Sequence, residues 1–342
     1  MKAFDCCISA TGTMLEGVSM ETLFDVTALG ELLVDFTQSG YSPQNNPVFE
    51  ANPGGAPANV LAMLQKLGKT CAFIGKVGQD SFGDMLEETI RQAGIDTRGL
   101  SRDETTPTTL ALVSTGPDGD RAFSFYRSPG ADVRLTESDL DPLLLNSCRI
   151  FHFGSLSLTD EPCRTATIAA VSAARAAGAM ISFDPNLREP LWRDLEEAKD
   201  QISWGLEQCD ILKIADNELQ FMTGETDHDA GASILRKAYP NIHLLNVTAG
   251  AFGSYSYYGD LRAYEPACSL GGVIETTGAG DTFCACVLGF VLDRGLDELS
   301  EEDLHEMLRF ANAAAYLVTT RKGAIRSMPE LAEIQDVLNR IR

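Results

Sequence analysis

Near the C-terminus, the string Glu275-Thr276-Thr277-Gly278-Ala279-Gly280-Asp281-Thr282-Phe283 sets small residues and a carboxylate where a polar loop turns into the apolar run Phe283–Val291. Small residues let the backbone come close to a ligand. At a helix N-terminus the unpaired N–H groups of Gly278, Ala279 and Gly280 would point outward together with the positive end of the helix dipole, which makes an anion site. Asp281 falls in the first turn beside it. A carboxylate there repels phosphate, yet it is well placed to accept a proton from a hydroxyl that attacks phosphate. The arrangement suits phosphoryl transfer; taken alone, it also fits an ordinary helix start whose Asp complements the dipole.

A second string, Asn52-Pro53-Gly54-Gly55-Ala56-Pro57-Ala58-Asn59, places a Gly pair ahead of an Asn on the first turn of another helix, with Pro57 at its start. Backbone at Gly54 and Gly55 can lie flush against a polyol, and the Asn59 amide both donates and accepts, as hydroxyl recognition demands. Upstream, Gly30-Glu31-Leu32-Leu33-Val34-Asp35 puts an acid after an apolar strand, where Asp35 could grip two hydroxyls. A plain turn and a solvated Asp remain the alternatives for these two strings.

Other Gly-rich strings carry less. Gly278-x-Gly280-x-x-Phe283 lacks the third Gly of a dinucleotide fingerprint and lies far from the first strand–helix–strand unit. Gly68-Lys69-Thr70 resembles the end of a P-loop, but Met63 stands where Gly is required and the order is helix then strand. No H-R-D or D-F-G string marks a protein kinase.

The elements that must position these groups follow from periodicity. From Asp25 onward, short apolar or β-branched runs (Asp25–Leu29, Cys71–Lys76, Arg149–Phe153, Met180–Asp184, Ile211–Ile214, His243–Thr248) alternate with amphipathic stretches (Pro57–Leu67, Met85–Gly94, Glu161–Gly178, Leu195–Cys209, Ala230–Tyr239). That alternation predicts an α/β fold with a mostly parallel sheet covered by helices on both faces. Two long helices, about Ala279–Gly295 and Glu301–Thr320, close the chain. Pieces around 32–51 and 108–127 alternate like strands but lack crossover helices, and they predict a small antiparallel sheet serving as a lid.

At 342 residues the chain is long enough for one large unit or a core with an appendage, at roughly 150 residues per domain. The absence of a linker or repeat favours a single domain over 25–342. Residues 1–24 lack regular patterning and a signal-peptide core, and read as a loose extension. Lys+Arg 27 against Asp+Glu 49 gives a net charge of −22, which disfavours nucleic acid and anionic membranes as partners. The nine Cys form no C-x-x-C pair, and the four His never take zinc-ligand spacing, so a reducing cytoplasm is expected.

The ordered set Gly54-Gly55 with Asn59, then Thr277-Gly278-Ala279-Gly280-Asp281, resembles the two signatures of the ribokinase-like PfkB carbohydrate kinase family. The resemblance runs from Asp25 to Pro329 and takes in Phe151-His152-Phe153-Gly154-Ser155-Leu156-Ser157-Leu158, Phe183-Asp184-Pro185-Asn186-Leu187-Arg188, Trp192 and Gly323-Ala324-Ile325. Those intermediate pieces look most like fructokinases. The resemblance implies a ribokinase-like fold whose β lid closes over the sugar and mediates a homodimer. It implies ATP with Mg²⁺ as cofactor and transfer of the γ-phosphoryl group to a sugar hydroxyl, fructose giving fructose 6-phosphate. The family's other substrates, 2-keto-3-deoxygluconate, ribose or a nucleoside, are the alternatives, and a sugar-binding relative without turnover is a further one.

By the same resemblance, Asp281 is the base, and Gly278, Ala279 and Gly280 form the anion hole. Asp35, Gly54, Gly55, Asn59, Arg127 and Arg188 would face the sugar. Thr248, Gly250, Gly253, Asn312, Gly323 and Ala324 would border the nucleotide, with Lys213 and Glu218 beside its phosphates and Glu218 reaching the metal through water. Glu275 stands where the family has Asp, at a position tied to a monovalent cation such as K⁺. Ala215 replaces a usual Asn or Ser, and Ala249 a usual Leu; Leu61 and Cys286 replace small residues.

Overall fold

A computed structural model describes residues 22–115 and 121–341. The extension expected over 1–24 therefore lies mostly outside the described residues, as do residues 116–120 of the segment expected to build the lid. In chain order the elements are β1 (Phe24–Leu29), β2 (Leu33–Tyr41), β3 (Pro47–Gly54), α1 (Ala56–Lys66), β4 (Cys71–Gly78), α2 (Ser81–Gln92), β5 (Asp96–Asp103), β6 (Leu110–Thr115), β7 (Arg121–Tyr126), α3 (Pro142–Asn146), β8 (Cys148–Gly154) and α4 (Cys163–Ala176). They continue as β9 (Met180–Asp184), α5 (Leu195–Gln208), β10 (Ile211–Ala215), α6 (Asp216–Thr223), α7 (His228–Ala238), β11 (Leu244–Thr248), β12 (Ser254–Tyr258), β13 (Leu261–Glu265), α8 (Ala279–Arg294), α9 (Glu301–Thr319) and α10 (Leu331–Ile341).

The main sheet has the order β13-β12-β11-β10-β9-β8-β1-β4-β5. Every neighbouring pair from β11 to β5 is parallel, and only the β11–β12 and β12–β13 pairs are antiparallel. One face packs on α1, α8 and α9, the other on α4, α5 and α7, giving two apolar layers. Strands buried on both sides must be apolar throughout, which is why Phe73, Phe151, Phe153 and Phe183 are all fully buried. The chain winds from β1 out to β4 and β5, then returns to β8 on the other side. Parallel sheets bind ligands at such a reversal, outside the carboxyl ends of the strands.

The expected main sheet and its helices are present, with three added strands. Polar β5 carries little strand signal. The β12–β13 hairpin has one, since tyrosines alternate on either side of the Gly259-Asp260 turn. α2 starts four residues before the expected Met85, because the Asp80 carboxylate accepts the Phe82 and Gly83 N–H groups and starts the helix at Ser81.

The lid is a four-stranded sheet of order β3-β2-β6-β7. It is not wholly antiparallel as expected: β2 and β6 run parallel in its centre, since each enters the lid from the same end of the main sheet. Phe36 of β2 meets Phe82 of α2 edge to face at 5.6 Å, which seats the lid on the main body.

Candidate active site

Gly278 caps α8 with a left-handed backbone, φ 79°, and no side chain caps the helix. A β-carbon on Gly278 would sit 3.0 Å from that of Ala324, so this turn has room only for glycine. The start of α8 is thus a small opening with no side-chain cap, where the Ala279 N–H donates to the Thr276 carbonyl at 3.3 Å. The cradle fits an anion.

Asp281 stands on the first turn of α8 and is 9% exposed. Its Oδ2 accepts from Asn59 Nδ2 at 2.7 Å. Burial pushes its carboxyl up to about 6; Asn59 and the Lys213 and Arg188 charges oppose this, while Asp184 adds to it. Asn59 Oδ1 is buried and has no hydrogen-bond partner among the described residues. An orphaned acceptor beside a candidate base is the kind of group a substrate hydroxyl satisfies.

Asp35, on β2, is also pushed up to about 7 by burial, with Arg188 opposing and Glu275 and Asp281 adding. A β-carbon on Gly54 would come within 2.5 Å of its Oδ2. Gly55 has φ 125°, and a β-carbon there would overlap the Glu31 carbonyl. Asp35, Gly54, Gly55, Asn59 and Asp281, drawn from two lid strands and two helix starts, therefore share one small region. Arg188 is half-buried and donates to the Asn186 and Leu187 carbonyls.

Lys213 of β10 binds both carboxylate oxygens of Asp184, at 3.1 and 3.0 Å. Its ammonium lies 3.1 Å from where a Gly280 β-carbon would be. Burial opposes its charge, yet the Asp184 and Glu218 carboxylates hold its pKa above the usual lysine range. Glu218 accepts from Leu187 N at 2.7 Å and Ala215 N at 2.8 Å. Burial raises its carboxyl, and the Lys213 ammonium pulls it back. Asp184 was not singled out as a site residue, although a carboxylate ending a parallel strand was the available signal.

The remaining expected residues lie on three segments: the turn after β11, α9, and the turn carrying Gly323 and Ala324, where Ala324 faces Gly278. Thr248 ends β11; Gly250 and Gly253, with φ 53° and 108°, shape the following turn, closed by Ala249 N donating to Gly253 O at 2.8 Å. Asn312 of α9 is fully engaged: Nδ2 donates to the Glu265 and Pro266 carbonyls, and Oδ1 accepts from Ser254. It holds the loop after β13 in place. Buried Glu275 accepts from Gly323 N at 2.8 Å, joining the loop before α8 to the turn carrying Gly323 and Ala324.

Arg127 does not stand where it was expected. Its guanidinium is 3% exposed and donates to Asp132, Thr159 and the Leu156 carbonyl, all three nitrogens being taken. The structure makes it a buried tie at the base of the lid.

Metal ligands are sparse. Among the described residues no group of three His, Cys, Asp or Glu side chains could cage an ion. Glu218 and Asp184 are already hydrogen-bonded or ion-paired. This donor set fits a Mg²⁺ that arrives on polyphosphate and keeps most of its water.

Residues 24–331 match the pfkB family carbohydrate kinases. The chain belongs to that family. It is 42% identical over 306 residues to a probable fructokinase-2 of Arabidopsis thaliana, covering 89% of this chain and 92% of that one. Among solved structures it superposes on a fructokinase with bound ATP from Xylella fastidiosa with a TM-score of 0.84 at 30% identity, covering 93% of this chain and 99% of that one. It also superposes on a double mutant of the Vibrio cholerae fructokinase holding fructose, ADP and a potassium ion, with a TM-score of 0.82, 29% identity and coverage of 93% and 99%.

Proposed function

We propose that this pfkB-family chain is an ATP-dependent fructokinase that phosphorylates fructose to fructose 6-phosphate. The observation that carries the reading is the Asn59–Asp281 pair, buried between the Gly54–Gly55 turn and the uncapped start of α8. Asp35 and the orphaned Asn59 Oδ1 accept sugar hydroxyls, and glycine at 54 and 55 lets the backbone lie against the ring.

In the reaction the ionised Asp281 carboxylate takes the proton of the attacking hydroxyl. The new bond forms between that oxygen and the γ-phosphorus, the bond to the ADP oxygen breaks, and the N–H groups of Gly278 and Gly280 meet the charge on the transferred group, joined by that of Ala279 once it leaves the Thr276 carbonyl. Mg²⁺ bound with the nucleotide would supply further neutralisation, and Glu218 would orient one of its waters. Lys213, held by Asp184, adds a fixed positive charge beside the cradle. Thr248, Gly250, Gly253, Asn312, Gly323 and Ala324 form the nucleotide's bed, and Glu275 is the residue of this chain placed to influence a K⁺ site.

The cations bear on the acidic-sugar alternative. An acidic sugar such as 2-keto-3-deoxygluconate would call for both Arg127 and Arg188, and Arg127 is committed elsewhere. The intact base and cradle argue against a relative without turnover. We read residues 25–342 as one lidded kinase unit. A homodimer through the lid is supported by Tyr41, Val48 and Tyr126, exposed apolar side chains on lid strands. The seven described cysteines are all free and no described helix is long and apolar enough to span a membrane, which accords with a cytoplasmic setting.

The test is a coupled ADP-release assay across fructose, ribose, 2-keto-3-deoxygluconate, tagatose and adenosine. Fructose should give the highest kcat/KM. Preference for another acceptor would reassign the substrate, and no turnover with any would overturn the kinase reading.

A further inference from the structure

The lid leaves and rejoins the main body at four places, and a single buried polar cluster touches all four. The first crossing, β1 to β2, carries Glu31, 4% exposed. The second, β3 to α1, donates Ala56 N to Glu31 Oε1 at 2.8 Å. On the third, β5 to β6, the Thr109 hydroxyl donates to Asp132 Oδ1. On the fourth, beyond β7, Arg127 Nε donates to Asp132 Oδ2 at 2.7 Å. Arg127 then reaches the main body, donating to Thr159 Oγ1 at 2.8 Å and Leu156 O at 2.9 Å. The Glu31 carboxylate lies within electrostatic reach of both Arg127 and Asp132.

Buried charges persist only when paired and hydrogen-bonded, and a broken buried network loosens everything it ties together. Here what is tied is the lid. Glu31 holds the Gly54–Gly55 turn through Ala56, and Asp132 holds both β6 and β7. Gly130 belongs to the same design, since a β-carbon there would overlap the Thr109 hydroxyl.

We infer that Arg127, Asp132 and Glu31 form the hinge that sets the lid over the sugar, so that Arg127 and Asp132 are positioning residues for sugar binding without touching it. Among the described residues, the hydrogen bonds and ion pairs of the cluster run to the lid crossings and to Leu156, Thr159 and Asp160, not to α8 or the turn at Gly250, so the nucleotide side is spared. The sugar readout below rests on the proposed fructokinase activity; the exchange readout does not.

The test uses the full chain with Asp132→Asn, which keeps the shape and removes the charge. Thr109→Val, which deletes one hydroxyl, serves if the first variant does not fold. Amide hydrogen exchange without any substrate should quicken about tenfold in β2, β3, β6 and β7 and stay unchanged in α8 and β9. KM for fructose should rise about tenfold while KM for ATP stays within about twofold, as expected when a positioning group is loosened. Unchanged lid exchange, or equal losses for both substrates, overturns the hinge. Faster lid exchange in a protein with no fructose turnover would keep the hinge and remove the proposed substrate.

Discussion

Asn59 Nδ2 lies 2.7 Å from Asp281 Oδ2, a hydrogen bond that joins the first turns of α1 and α8 across 222 positions of sequence. It ties the sugar side of the cleft to the proposed base. The donor favours the ionised carboxylate, against a burial that favours the acid.

The pH dependence follows from that balance. With the Asp281 carboxyl pushed up to about 6, kcat/KM for fructose should fall as pH drops through about 6 and level off above it. Asn59→Ala removes the donor, so the midpoint should move to higher pH. A pH–rate profile of both proteins checks this; an unmoved midpoint would separate Asn59 from the control of the base.

Asp281→Asn should lower kcat by about 10²–10⁴-fold, the usual loss of a general base. The same change should stabilise the protein near neutral pH. The folded carboxyl titrates near 6 against 3.8 when unfolded, so folding favours the protonated form. That contribution is fully present below 3.8 and lost as pH rises through about 6; at pH 8 the buried anion costs about 2–3 kcal/mol, which the amide avoids. Urea melts at pH 8 should show the gain, and melts at pH 4 should not.

Gly54→Ala tests the close approach of backbone to sugar. The added methyl would fall within 2.5 Å of Asp35 Oδ2 and displace that carboxylate. Steady-state kinetics should show KM for fructose rising by an order of magnitude or more with KM for ATP little changed.

Glu218→Gln keeps the shape of the α6 start but retains only one of two carboxylate acceptors for Leu187 N and Ala215 N. If Glu218 orients metal-bound water, the Mg²⁺ concentration for half-maximal rate should rise about tenfold while KM for fructose holds. Titration of the rate with Mg²⁺ at saturating fructose measures it.

Particular residues show how much was legible in the chain alone. The glycines at 54, 55, 278 and 280 were readable, because conformational freedom and small size are local properties. So was the alternation that builds the parallel sheet. Arg127 was not: its neighbours Phe125 and Tyr126 mark a strand end, and nothing nearby announces that Asp132, Thr159 and Leu156 would enclose it. The direction of β2 against β6 was equally hidden, since strand pairing depends on which end of the main sheet each strand leaves.

The sequence by itself determined the chemical inventory and the local geometry that displays it: an uncapped helix start with a carboxylate on its first turn, a glycine pair before an amide, and strands apolar enough to be buried on both faces. These signals act over a few residues through sterics, capping and periodicity. Only the tertiary structure decided which of those groups meet. It brought Asn59 to Asp281 and Lys213 to Asp184, and it enclosed Arg127 between Asp132, Thr159 and Leu156 at the base of the lid. Such contacts span tens to hundreds of positions, and they are set by strand order and the burial it imposes, where an unpaired charge is too costly to leave alone.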